Sequence, residues 1–144
     1  MASISADLTR DHRHCDELFA RAEERVARGD WAQAARDFSE FTNAMEQHFH
    51  FEEDSLFPAF EQASGSRAGP TQMMRMEHEQ MRTLFRDMET GLQAQEASRC
   101  LGLSETLLIL MQQHNMKEEH ILYRLAEQVL GSAGEALAAR RARS

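Results

Sequence analysis

His48-Phe49-His50-Phe51-Glu52-Glu53-Asp54-Ser55-Leu56-Phe57 decides the fold of this chain, because it returns as His114-Asn115-Met116-Lys117-Glu118-Glu119-His120-Ile121-Leu122-Tyr123. Both copies read H-x-x-x-E-E-x-x-L-aromatic. Each follows a segment with its own acid-histidine pair: Asp11-His12 ahead of Leu18-Phe19, and Glu77-His78 ahead of Leu84-Phe85. Residues four apart on a helix share one face, one turn apart. His48 with Glu52, and His114 with Glu118, therefore project together. Two such helices, with two more that bring one histidine each, aim four imidazoles and two carboxylates at a common centre. That set is large enough to hold a pair of metal ions.

Helical periodicity extends on both sides of the motif. Ser5 is a candidate cap for a first helix that places Leu8, His12, Cys15, Phe19 and Val26 near one face. Gly29 ends it, and Asp30 can cap the next. The second helix carries Trp31, Ala34, Phe38, Phe41, Met45, His48, Glu52 and Leu56. Pro58 must kink or end it, since proline lacks a backbone donor and clashes with the preceding turn. After a loop at 64–69, Pro70 fits a first helical position. The third helix shows Met74, His78, Met81, Phe85, Met88 and Leu92 on one stripe. Gly91 and Gly102 blur the next boundary, with Ser98 and Ser104 as candidate caps. A fourth helix, stopped by Gly131, carries Leu107, Leu110, Met111, His114, Glu118, Ile121, Leu122 and Leu125. The segment 133–139 either packs as a short helix or frays. No strand pattern competes. The predicted fold is all-α: an antiparallel up-down four-helix bundle with a pseudo-two-fold repeat (7–60 and 73–126) and a short C-terminal tail helix, one domain over 1–144.

Composition bounds the function. A chain of 144 residues with 42% hydrophobic content is enough for one real core. Its net charge of -8 argues against nucleic-acid partners and anionic membranes, which need a basic face. Arg140-Arg141-Ala142-Arg143 is too short to alter that and reads as a frayed terminus, with charge suited to a helix end. No apolar run has the length of a signal peptide or a membrane span. Cys15 and Cys100 lie far apart without C-x-x-C spacing, which fits a reducing cytoplasm. Cytoplasmic localisation and a monomer or homodimer are the expectations.

A lone buried histidine is more often a hydrogen-bonded core residue than a ligand. Six polar groups in register on apolar stripes are a different case: two uncompensated buried carboxylates cost several kcal/mol each, roughly. Divalent cations remove that cost and take neutral imidazoles as ligands. The candidate ligands are His12, His48, Glu52, His78, His114 and Glu118, with the two glutamates as bridges. His12 and His48 would serve one ion, and His78 and His114 the other, unless the pairing crosses over. Imidazole with carboxylate suits iron, and also manganese or zinc. With about four protein contacts per ion, about two positions on each would remain for an oxo or hydroxo bridge and a small ligand. His14, His50 and His120 fall off the ligand face. Glu53 and Glu119 read as hydrogen-bond acceptors behind the ligands or as solvated charges, and Asp16 as a group able to orient an imidazole. Cys15 reads as a small core residue or, more sharply, as a redox-active thiol near the metal ions.

Over residues 5–130 the chain resembles the hemerythrin-like (HHE cation-binding) family. The resemblance rests on Asp11-His12, His48-x-x-x-Glu52-Glu53-x-x-Leu56-Phe57-Pro58, Glu77-His78 and His114-x-x-x-Glu118-Glu119-x-x-Leu122-Tyr123. It implies the same bundle, a non-haem di-iron centre, and the same six ligands. Oxygen carriers of the family place a further histidine where this chain has Met74, and an Asp where it has Glu119. The chain is closer to the branch with iron–sulfur-cluster repair and peroxide-handling proteins. The resemblance thus implies redox handling of oxygen, hydrogen peroxide or nitric oxide, with an electron donor as partner, and a possible oxidoreductase activity. The competing classes are a non-enzymatic oxygen binder or sensor, an iron store, and a metal-stabilised bundle without turnover.

Overall fold

The computed structural model describes residues 3–66 and 69–143. Nearly all of them are helical, and no strand occurs among the described residues. The elements are α1 (Ile4–Ala27), α2 (Trp31–Phe51), α3 (Phe57–Ser64), α4 (Pro70–Gln93), α5 (Ala97–Lys117), α6 (Tyr123–Leu130) and α7 (Ser132–Arg143). A π turn at Glu52–Leu56 joins α2 to α3 without a break, and a second at Glu118–Leu122 joins α5 to α6. There are thus four long rods and a tail helix. α1 packs on α2, α2 on α4, α4 on α5 and α5 on α1, which closes the ring of the expected four-helix bundle.

Local chemistry explains most boundaries. Asp30 caps α2 by accepting from the Gln33 backbone N–H, and Gly29 takes a positive φ of 73° just before it. Pro70 opens α4. Other expectations need correction. Ser3, not Ser5, caps α1 by accepting from Ala6 N–H, while Ser5 already lies inside the helix. Neither Ser98 nor Ser104 caps α5: its cap is Glu96, Ser98 is in the first turn, and Ser104 is buried mid-helix. Gly91 lies within α4, where a Cβ would meet Cys100 Sγ at 3.0 Å, so glycine there lets α5 approach closely. The loop expected at 64–69 starts one residue later, because Ser64 is still helical and Gly65 takes a left-handed conformation; 67 and 68 lie outside the described residues.

The larger correction concerns Pro58. The helix does not end there; it continues to Ser64. The irregularity lies one turn earlier, where Phe57 N–H bonds to the Glu52 carbonyl, five residues back. Tyr123 N–H bonds to Glu118 in the same way in the second half, with no proline near. The π turn therefore belongs to the repeated motif, not to the proline. One extra residue per turn also shifts the helical phase. Ile121 and Leu125, expected inside, are 54% and 37% exposed, while Leu122, Tyr123 and Ala126 take the buried face. The C-terminal segment is likewise helical to Arg143, with Leu137 and Ala138 buried, and not frayed.

Two apolar clusters sandwich a polar layer. One holds Cys15, Phe19, Phe41, Met45, Phe49, Met81, Phe85 and Met111; the other holds Leu8, Leu56, Phe57, Met74, Leu122, Tyr123 and Leu137. Each candidate histidine sits on its helix between a member of one cluster and a member of the other. Among the described residues no helix is long and apolar enough to cross a membrane. In the first cluster Phe41 is fully buried, with its ring 5.1 Å from Phe19 and 5.5 Å from Phe85. Phe41→Ala should lower the unfolding free energy by about 3–5 kcal/mol in urea denaturation, as expected for a core phenylalanine. A loss below about 1 kcal/mol would show that this cluster does not support the polar layer.

Candidate metal centre

All six sequence-predicted ligands converge. Glu52, His78 and Glu118 are fully buried, and His114, His48 and His12 are 1%, 2% and 5% exposed. Each imidazole turns Nε2 inward. His12 Nε2 is 3.0 Å from Glu118 Oε1, His48 Nε2 is 3.4 Å from Glu52 Oε1, His78 Nε2 is 3.1 Å from Glu52 Oε1, and His114 Nε2 is 3.3 Å from Glu118 Oε1. Donor atoms from Glu52, His78, His114 and Glu118 all lie within 4.8 Å of one another, and so do those of His12, His48 and Glu118. Glu118 belongs to both groups, and Glu52 reaches His48 from the other. His14, His50 and His120 are exposed, as their helical phase requires.

Each Nδ1 faces outward to a carboxylate. His48 Nδ1 meets Asp11 at 2.9 Å and His114 Nδ1 meets Glu77 at 2.7 Å, both across a helix pair within one half. His78 Nδ1 meets Glu53 at 2.6 Å and His12 Nδ1 meets Glu119 at 2.7 Å, both between halves. The π turn explains the doubled glutamate: the first Glu points into the centre, and the second reaches a histidine of the other half. Asp16 is exposed and has no hydrogen bond to His12 among the described contacts; Glu119 has that role. An Nδ1–H held by a carboxylate leaves the Nε2 lone pair facing the centre, the tautomer a metal ligand needs.

Cations brace the outer carboxylates. Arg82 donates to both oxygens of Glu53, at 2.9 and 3.1 Å, and lies over the Phe49 ring, which stacks on His78 at 3.9 Å. Lys117 pairs with Glu77, and Arg141 with Asp11. Burial pushes the Glu53 carboxyl up, but His78 and Arg82 outweigh it and hold it at about 2. Asp11 is likewise held low by His48 and Arg141 against burial.

Tyr123 was not singled out in the sequence, yet it is fully buried at the centre. Its hydroxyl lies 2.8 Å from Glu52 Oε2, 2.9 Å from Glu118 Oε1, 3.2 Å from His12 Nε2 and 3.4 Å from His48 Nε2. Phe57, its counterpart in the first copy of the motif, stacks 5.8 Å from His78 and brings no polar atom. The only sequence signal was that one copy ends in a tyrosine and the other in a phenylalanine. Burial and the adjacent carboxylates push the phenol well above its usual range, so it remains a proton donor. Cys15, by contrast, packs in the core; burial pushes its thiol up to about 11, which is not the state of a reactive thiolate.

Whether these residues fit a metal is tested by their unmet polar atoms. Glu52 Oε1, His78 Nε2, His114 Nε2 and Glu118 Oε2 are buried and have no hydrogen-bond partner. His78 Nε2 and Glu52 Oε1 are close enough but not aligned for a hydrogen bond; both point toward shared space. Buried polar groups are rarely left unsatisfied, and four in one cluster match the donor set of a divalent cation. The family profile of the hemerythrin HHE cation binding domain matches residues 3–126.

The chain belongs to the hemerythrin HHE cation-binding family. No curated protein and no solved structure matches it. This hemerythrin-like chain carries buried His/Glu clusters that could hold a metal ion.

Without a cation, the buried carboxylates favour protonated imidazoles at His48, His78 and His114. Burial pushes His114 down, but the nearby Glu118 charge and the bond from Nδ1 to Glu77 win and raise it to about 10. His48 and His78 are raised for the same reason. A raised histidine stabilises the fold fully below its unfolded value, 6.5, and loses that contribution as pH rises through its folded value. Chelator-stripped protein should therefore melt at a higher temperature at pH 6 than at pH 9. Metal-loaded protein should not show this loss, because ions replace the protons. Calorimetry with and without chelator checks it; equal melting of stripped protein at both values would contradict the electrostatic account.

Proposed function

We propose that this protein holds a pair of iron ions and redox-processes a small ligand: oxygen, hydrogen peroxide or nitric oxide. The observation that carries the reading is the pair of donor groups sharing Glu118, with four unpartnered buried atoms between them. His12 and His48 would hold one ion, His78 and His114 the other, and Glu52 and Glu118 would span both. Held by these residues, a pair of redox-active ions would supply the electron-transfer chemistry, with re-reduction by a separate electron donor. The chain supplies the rest. Outer carboxylates fix the four rings, and the flanking clusters, with Leu8, Leu56, Met74 and Leu122 on one side, exclude bulk water. Tyr123 holds a proton between the two central carboxylates, where it can pass to a reduced ligand. Near-complete burial of the donors restricts access to small molecules.

Met74 favours reaction over carriage. It is 2% exposed and packs in the cluster with Leu8 and Tyr123, at the position where the oxygen carriers have a further imidazole. Anaerobic protein loaded with ferrous iron should carry about two ions per chain. Mixed with oxygenated buffer in a stopped flow, it should oxidise rapidly, and Met74→His should slow that step. Peroxide turnover or nitric oxide uptake would identify the ligand class. Oxygen uptake that is stable for many minutes and reverses on degassing would instead make the protein an oxygen binder, and inertness to all three would make the ions structural.

A further inference from the structure

The profile match ends at residue 126, but one support of the centre comes from beyond it. α7 spans Ser132–Arg143 and is anchored by buried Leu137 and Ala138. From it Arg141 pairs with Asp11 Oδ2, the same oxygen that accepts from His48 Nδ1. The guanidinium also lies 4.9 Å over the Phe51 ring, on the strand of helix that carries His48. Arg10, the other cation beside a surface groove lined by Asp7, Asp11, Phe51 and Arg141, pairs with Asp7. The braces on the other side of the centre, Arg82 on Glu53 and Lys117 on Glu77, both lie within the matched region. Glu119 meets His12 Nδ1, and no Lys or Arg among the described residues pairs with it.

We propose that Arg141 is a positioning residue for the His12/His48 half of the centre: the tail helix holds Asp11 against His48 and so sets how tightly that half binds its ion. The proposal rests on the metal-binding reading above. Asp11 is partly exposed; without Arg141 it can turn to solvent, and His48 then loses the acceptor that fixes its ring and tautomer. The His78/His114 half has its own braces and should not respond. The tail helix is thus a selective strap on one of two sites, not a general support.

The test is an anaerobic ferrous titration of stripped full-length protein against a competing chelator. Loss of an outer hydrogen-bond partner costs roughly 10–100-fold in metal affinity, so Arg141→Ala should weaken one of the two ions by about tenfold and leave the other unchanged. Arg141→Lys should restore most of the loss. Arg141→Ala added to Asp11→Asn should cost nothing further, whereas added to Arg82→Ala it should cost its full amount, because its effect on the metal site runs through Asp11. Unchanged affinity for both ions, equal weakening of both, or further loss in the Asp11→Asn background would overturn the proposal while leaving the metal reading intact. Failure of the unaltered protein to bind iron would overturn the metal reading and the proposal with it.

Discussion

Two carboxylates with no solvent exposure govern this structure. Glu52 and Glu118 come from opposite halves of the bundle and meet in its middle. Isolated charges there would be costly by several kcal/mol each, roughly, even after relaxation. Everything around them is arranged to offset that cost. Four imidazoles face them, a phenol lies between them, and four oxygen and nitrogen atoms are still left without a hydrogen bond. A bundle that needed only a stable core would do better with leucine at those positions. The arrangement makes physical sense as a cation site, and the family to which the chain belongs is defined by one.

Support for the centre is layered outward: imidazole, carboxylate, then cation. Glu53 with Arg82 and Glu77 with Lys117 complete this sequence on one side. On the other, Asp11 depends on Arg141 from the tail, and Glu119 stands 31% exposed. The halves therefore share a motif but not an environment. Tyr123 against Phe57 adds a second asymmetry, placing the phenol oxygen nearer His12 and His48. A pair of ions in such surroundings would not be equivalent.

Much of this was legible in the residues. The repeated H-x-x-x-E-E pattern marks helix faces, and helical spacing alone separates His48 from His50 and His114 from His120. What spacing could not show was the π turn, because a hydrogen-bond shift of one residue leaves no compositional mark. That turn moved Ile121 and Leu125 outward and brought Tyr123 in. The partners of the histidines were also hidden. The acid beside His12 serves His48, and the acid beside His78 serves His114, so the adjacency in sequence is not the adjacency in space. Arg141 was illegible for the same reason: an arginine-rich end reads as solvated charge until packing places one of its members on Asp11.

The central claim is that the two halves together hold two ions bridged by glutamate. Anomalous diffraction at the iron edge, from crystals of protein loaded anaerobically with ferrous iron, tests it most directly. The account predicts two peaks about 3.5–4 Å apart, one against His12 and His48, the other against His78 and His114, with Glu52 and Glu118 touching both. A single peak, or two peaks that share no glutamate, would contradict it.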